Sequence, residues 1–144
     1  MERINRFNIR VYAIVINRFN QVLLSKEHIR GNDYIKFPGG GLEFGEGIAD
    51  ALRRELREEL NADILHSEHF YTTDFFQQSA FLPTDQIISV YYKVSVPDAD
   101  ALSLENPDDE ALQGFFWVPI PDLLPEHVTL PIDKLVVQKL RDTV

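Results

Sequence analysis

Cysteine is missing from all 144 residues, which removes a disulfide framework, a thiolate metal site and a cysteine nucleophile together. Positive charge is scarce as well. Fourteen Lys and Arg stand against 23 Asp and Glu, a net charge of −9, the wrong sign for neutralising the phosphates of a long nucleic acid. No apolar run approaches membrane-spanning length, and the opening MERINRFNIR lacks the apolar core, about 7–15 residues, of a signal peptide. The expectation is a cytoplasmic protein with neither membrane nor long nucleic acid among its partners. One domain over residues 1–144 is expected, because a chain of this size buries most of its apolar surface without outside staples. Repeats, linkers and low-complexity segments are lacking too.

Ile9 to Ile16, rich in Val, Ile and Tyr, predicts a buried strand, and residues 17–20 a turn into a second strand from Val22 to Ser25, together a hairpin. A polar loop from His28 to Asp33 precedes a short strand from Tyr34 to Phe37, after which Pro38-Gly39-Gly40-Gly41 breaks regular structure. Helical periodicity runs from Gly47 to Leu60 and again from Ile132 to Arg141. Ile64 to Phe76, Ile87 to Val96 and Phe115 to Val118 read as strands. Helices separated by several strands fit an α+β or layered α/β/α arrangement better than a doubly wound parallel sheet.

The chain has carboxylate in excess, and three of its glutamates are patterned. Glu55, Glu58 and Glu59 fall at i, i+3, i+4 behind a glycine-rich loop, a spacing that sets side chains close together on one helix face. Like charges that near repel unless something positive sits among them. A charge run is often only a solvated face, so the angular position decides. With Ile48 at zero and about 100° per residue, Ile48, Ala49, Leu52, Leu56 and Leu60 span about 0° to 120°, and Asp50, Arg53, Arg54 and Arg57 about 140° to 240°. The glutamates occupy about 280° to 20°, overlapping the edge of the apolar stripe. Carboxylates at the rim of a core are costly unless paired or coordinating a metal, and hard divalent cations prefer oxygen ligands. The triplet predicts such a cation, which would also let an acidic chain attract a small phosphorylated substrate.

The spacing extends further: Gly40, five residues, Glu46, seven residues, then Arg54-Glu55-Leu56-Arg57-Glu58-Glu59-Leu60-Asn61-Ala62. This pattern closely resembles the Nudix box, the signature of the Nudix hydrolase family, and Pro38-Gly39-Gly40 and Phe116-Trp117-Val118-Pro119 are similar to family features around it. The chain departs at Asn61, where the family has glycine, and at Ala62, where it has a bulkier apolar residue. Asn tolerates positive φ better than most residues, and Ile64 is placed to supply the missing bulk. The resemblance implies a Nudix-like α/β/α sandwich with a mixed central sheet. It implies hydrolysis of a pyrophosphate bond in a nucleoside diphosphate derivative, of nucleotide, ADP-ribose or nucleotide-sugar type, with Mg²⁺ or Mn²⁺. It also implies Glu58 and Glu59 as metal ligands, Glu55 as a ligand or the base that orients water, and the Gly39 carbonyl as a further ligand. Glu46 and Arg54 would brace the loop against the helix, and many members of the family are homodimers.

Retention of every box carboxylate favours an enzyme over a silent Nudix-like domain that senses a nucleotide or ADP-ribose. The isomerase branch of the fold relies on a cysteine that is absent here, and the lack of a basic tract disfavours messenger-RNA decapping. Weaker signals surround the box. Asp108-Asp109-Glu110 lies where many members supply an extra acidic ligand or base, with Glu110 the candidate, although a solvated loop accounts for it equally well. Lys26, Arg30 and Lys36 are candidates for substrate phosphates, though the surface is the commoner place for such residues. His66 and His69, three apart on a strand, point to opposite faces and predict no shared metal. Phe70, Tyr71, Phe75, Phe76 and Phe81 suit core or dimer packing, or the stacking of a nucleobase.

Overall fold

In a computed structural model that describes residues 3–99, 102 and 114–143, strand β1 (Arg6–Val15) sets the layering. Val11, Ala13 and Val15 belong to one core and Tyr12 and Ile14 to another, all five buried, as alternation on a strand covered on both faces requires. The first core includes Ala51, Leu52 and Leu56 of helix α1 (Ile48–Leu60). The second includes Ile132, Val136, Val137 and Leu140 of helix α2 (Pro131–Asp142). The sheet is therefore a middle layer between two helices, the expected sandwich.

Around β1 the main sheet is mixed. Strand β4 (Gly39–Gly41) is antiparallel to β1, β6 (Asp85–Ser95) is parallel to it from Arg6 opposite Asp85 to Val15 opposite Val94, and β5 (His66–Thr72) closes the far edge. A smaller antiparallel sheet has the order β3-β2-β7, from β2 (Gln21–Ile29), β3 (Asn32–Lys36) and β7 (Gly114–Pro119). Among the described residues no helix is long and apolar enough to cross a membrane.

Several boundaries differ from the sequence reading. The hairpin of the first two strands is reduced to one bridge, Ile16 to Val22, beyond which β1 and β2 enter different sheets. The polar loop from His28 to Asp33 is mostly ladder: Arg30 and Gly31, both at positive φ (50° and 84°), form a two-residue turn between β2 and β3, the geometry of a tight hairpin. Gly39, Gly40 and Gly41 form a strand where a break was expected. They lie against β1 so closely that a Cβ on Gly39 would stand 2.1 Å from the Val11 carbonyl oxygen, an approach only glycine permits. The long strand from Ile64 to Phe76 ends at Thr72.

The buried face of α1 is rotated relative to the expected stripe. Ala49 is exposed while Ala51, Leu52, Glu55 and Leu56 are buried, so Glu55 lies within the core-facing side. At its end Asn61 adopts the left-handed conformation (φ 51°) and donates its N–H to the Arg57 carbonyl, with Ala62 buried and Ile64 packed in the same core. Asn61→Ala should lower stability by about 1 kcal/mol, the left-handed cost of an ordinary side chain. A urea midpoint that did not move in this variant would contradict that account.

Candidate active site

Two carboxylates one helical turn apart lie against two adjacent glycines. Glu59 Oε2 accepts the Gly39 N–H at 3.1 Å. Glu55, 9% exposed, lies under Gly40 so closely that a Cβ there would stand 2.5 Å from its Oε1. The bare glycine strand thus makes room for the acid. Glu58, the third of the triplet, is exposed, with Oε2 3.3 Å from Arg54 Nη1.

Arg54 ties these groups together. Its Nε and Nη2 grip Glu46 at 2.6 and 2.9 Å, Nη2 also donates to the Gly41 carbonyl at 2.9 Å, and Nη1 reaches Glu55 at 2.9 Å. This is the fork geometry that makes Arg–carboxylate pairs rigid. The pairing with Arg54 holds the Glu46 carboxyl below its usual range and raises the Arg54 guanidinium still further. Through these bonds Arg54 on α1 reaches both Glu46 and the Gly41 carbonyl of the loop that precedes the helix.

Burial pushes Glu59 up to about 7; Lys36 opposes that rise, and the charges of Glu55 and Glu27 add to it. Glu27, which the sequence reading did not single out, enters because β2 and β3 place it beside Lys36. Lys36 itself is buried, with Nζ 3.4 Å from Glu27 Oε1 and 3.3 Å from the Phe37 carbonyl it donates to. It is a cation beneath the glutamates rather than one reaching outward for phosphate.

The other weak candidates scatter. Arg30 donates to the Phe81 carbonyl at 2.8 Å and lines a cavity, and Lys26 lies on β2 opposite Ile35 and Gly114. Glu110 lies outside the described residues. His66 and His69 are both exposed on β5, His69 Nε2 standing 2.8 Å from Thr72 Oγ1. Of the five aromatics, Phe70 and Tyr71 pack on the α2 core, Phe75 and Phe76 are exposed, and Phe81 meets the Tyr34 ring at a tilt of 56° and lines the cavity.

That cavity, about 330 Å³, opens on the α2 side of the main sheet. Its floor is built from alternate residues of two strands: Asn8, Arg10 and Tyr12 from β1, and Ile87, Ser89 and Tyr91 from β6. Arg10 is the residue that sequence reasoning passed over, and its signal was an arginine inside an otherwise apolar strand.

The chemistry of the donors is entirely oxygen. Buried Glu55 and Glu59, with Glu27 near enough to raise Glu59 further, form a site in which carboxylates repel, and such a site suits a hard divalent cation. Among the described residues no three carboxylate or imidazole groups stand together as a finished cage, Glu58 being turned to Arg54.

A glycine strand facing a helix with three glutamates and a braced Arg–Glu pair defines a class. The chain belongs to the NUDIX domain family, whose model matches residues 6–139. It is similar to the 8-oxo-dGTP diphosphatase of Haemophilus influenzae, with 32% identity over 109 residues, 74% of this chain and 71% of that protein. It is also 32% identical over 90 residues to the nucleoside triphosphatase NudI of Escherichia coli, 60% of this chain and 62% of NudI, less than two thirds of that relative's length. Among solved structures, a MutT from work on Aliivibrio salmonicida and Vibrio cholerae superposes with a TM-score of 0.68 at 22% identity, covering 96% of this chain and 99% of that one. Likeness at that identity speaks to the fold.

Proposed function

We propose that this protein hydrolyses a pyrophosphate bond in a small nucleotide with a divalent metal ion, nucleoside triphosphates being the favoured class. The observation behind the proposal is the seating of Glu55 and Glu59 against Gly40 and Gly39, with Arg54 and Glu46 locking helix to loop. The names of the two relatives, a diphosphatase of an oxidised nucleotide and a nucleoside triphosphatase, favour the triphosphate class over ADP-ribose and nucleotide sugars.

Glu55, Glu58 and Glu59, with the Gly39 carbonyl, would hold Mg²⁺ or Mn²⁺, which when bound screens phosphate charge and acidifies a water molecule. The rest falls to the chain's own groups. Arg54 fixes the direction of Glu55 by gripping Oε1, and among the described residues Oε2 has no hydrogen-bond partner, so it is available to orient water for attack on phosphorus. Lys36 lowers the cost of gathering Glu27 and Glu59 in one buried place. Phosphoryl transfer asks for little beyond such positioning and charge stabilisation.

A panel of nucleoside triphosphates, ADP-ribose, dinucleoside polyphosphates and nucleotide sugars tests the reading. Turnover should require Mg²⁺ or Mn²⁺, vanish on chelation with EDTA and return when the ion is restored, with triphosphates giving the highest kcat/KM. Undiminished turnover in EDTA, or none on any substrate with either ion, would refute it.

A further inference from the structure

Three cations border the box carboxylates, and two of them are fully engaged. Arg54 is held by Glu46, Glu55 and the Gly41 carbonyl, and Lys36 by Glu27 and the Phe37 carbonyl. Arg10 differs. Its Nε donates to the Tyr12 hydroxyl at 3.2 Å, and among the described residues no carboxylate lies within 4.0 Å of its guanidinium. A guanidinium has five N–H donors in a rigid fork, so most of its capacity is uncommitted. Half withdrawn from water on β1, such a group is costly without an anion to meet it.

Its place is at a seam. On one side β1 pairs with β4, where Arg10 stands opposite Gly41 and a Cβ on that glycine would lie 3.2 Å from Arg10 Nη1. Arg10 also feels the charges of Glu55 and Glu27. On the other side it lines the cavity, whose further walls include Phe81, Leu82, Ile87, Leu130 and Ile132. About 330 Å³ is at the small end of the range for small-molecule sites, roughly 300–1,000 Å³, and mostly apolar walls with a few polar groups suit a heterocycle. Tyr12 fixes the direction of the arginine. Its ring stacks on Tyr91 with centroids 5.2 Å apart, and the Tyr91 hydroxyl is anchored on Asp133.

We propose that Arg10 holds the phosphate that stays attached to the nucleoside, that the cavity beyond it seats the nucleoside, and that Tyr12 positions Arg10 for this contact. The inference rests on the hydrolase reading, because it takes the box to act on the next phosphate along. It makes Arg10 a determinant of preference for nucleotides over other diphosphates.

The test is metal-free binding of dGMP, deoxyguanosine and pyrophosphate to the parent, Arg10→Gln, Arg10→Lys and Tyr12→Phe, each first shown to be folded by circular dichroism. The parent should bind dGMP about tenfold or more tightly than deoxyguanosine, in keeping with a hydrogen bond between charged groups. Arg10→Gln should erase that gap by weakening dGMP alone, Arg10→Lys should restore part of it, and Tyr12→Phe should narrow it by a smaller factor. With Mg²⁺ and dGTP, Arg10→Gln should raise KM by a larger factor than it lowers kcat. A gap that survives Arg10→Gln, or a loss that falls on deoxyguanosine instead, overturns the proposal; the second result would make Arg10 a reader of the base. If the parent turned over no nucleotide while Arg10 still governed the gap, the hydrolase reading would fail and the phosphate contact would stand.

Discussion

Glu59→Gln is expected to lower kcat/KM by about 100-fold or more, as loss of a metal ligand would, and, in metal-free buffer at pH 8, to stabilise the protein by about 3 kcal/mol. The two effects have one cause. Burial lifts the Glu59 carboxyl from an ordinary 4.5 to about 7, so its protonation supports the folded state fully below pH 4.5, and that support is lost as pH rises through 7. Glutamine has no proton to lose, and the advantage of the variant should therefore be near zero at pH 4.5 and grow toward pH 8. Mg²⁺ should reverse the order, raising the Tm of the parent and leaving that of the variant nearly unchanged. A folded Glu59→Gln protein with parental turnover, or with a parental curve of stability against pH, would contradict the assignment. Stability given up at a working site is a common trade.

Tyr91→Phe is expected to cost about 2–3 kcal/mol at pH 8 and clearly less at pH 5. Asp133 is fully buried in α2; its Oδ1 accepts the Tyr91 hydroxyl at 2.5 Å, and among the described residues its Oδ2 has no side-chain hydrogen-bond partner. Burial pushes this carboxyl from 3.8 to about 6, with Tyr91 and then Lys36 resisting the rise. Protonation of Asp133 thus favours the fold fully below pH 3.8, and the benefit is lost through pH 6. Without the Tyr91 hydroxyl the ionised form is worse served, so the loss concentrates where Asp133 is charged. Equal losses at both pH values, measured by urea unfolding, would show that the hydroxyl does not serve the carboxylate.

The box pattern was legible in the sequence because it is local. Arg54 and the three glutamates lie on one helix whose periodicity sets their mutual positions, and Glu46, in the loop just before it, is within reach of Arg54. Lys36 was misjudged because its surroundings depend on the pairing of β2 with β3, which puts Glu27 beside it and turns it inward. The glycine run was read as a break because its reason for being glycine is contact with β1 and with Glu55, and a chain shows no such approach by itself. The cavity was invisible for the same cause at longer range. Asn8 and Arg10 acquire neighbours such as Ile87 and Ser89 only when β1 and β6 align. Rotation of α1 toward Ala51 and Glu55 is likewise set by what β1 and β4 offer it to pack on.

The parallel pairing of β1 with β6 also orders events in time. Arg6 bonds Asp85 across 79 residues of chain, and closing a loop of that size costs about 4 kcal/mol of entropy before any contact repays it. Strands β1 and β4 and helix α1 all lie within the first 60 residues, so the glutamates can meet their glycines early. The cavity waits for β6 and for the approach to α2. During synthesis from the N-terminus, Glu55 and Glu59 emerge together with Gly39 and Gly40, before the cavity walls that β6 and α2 supply.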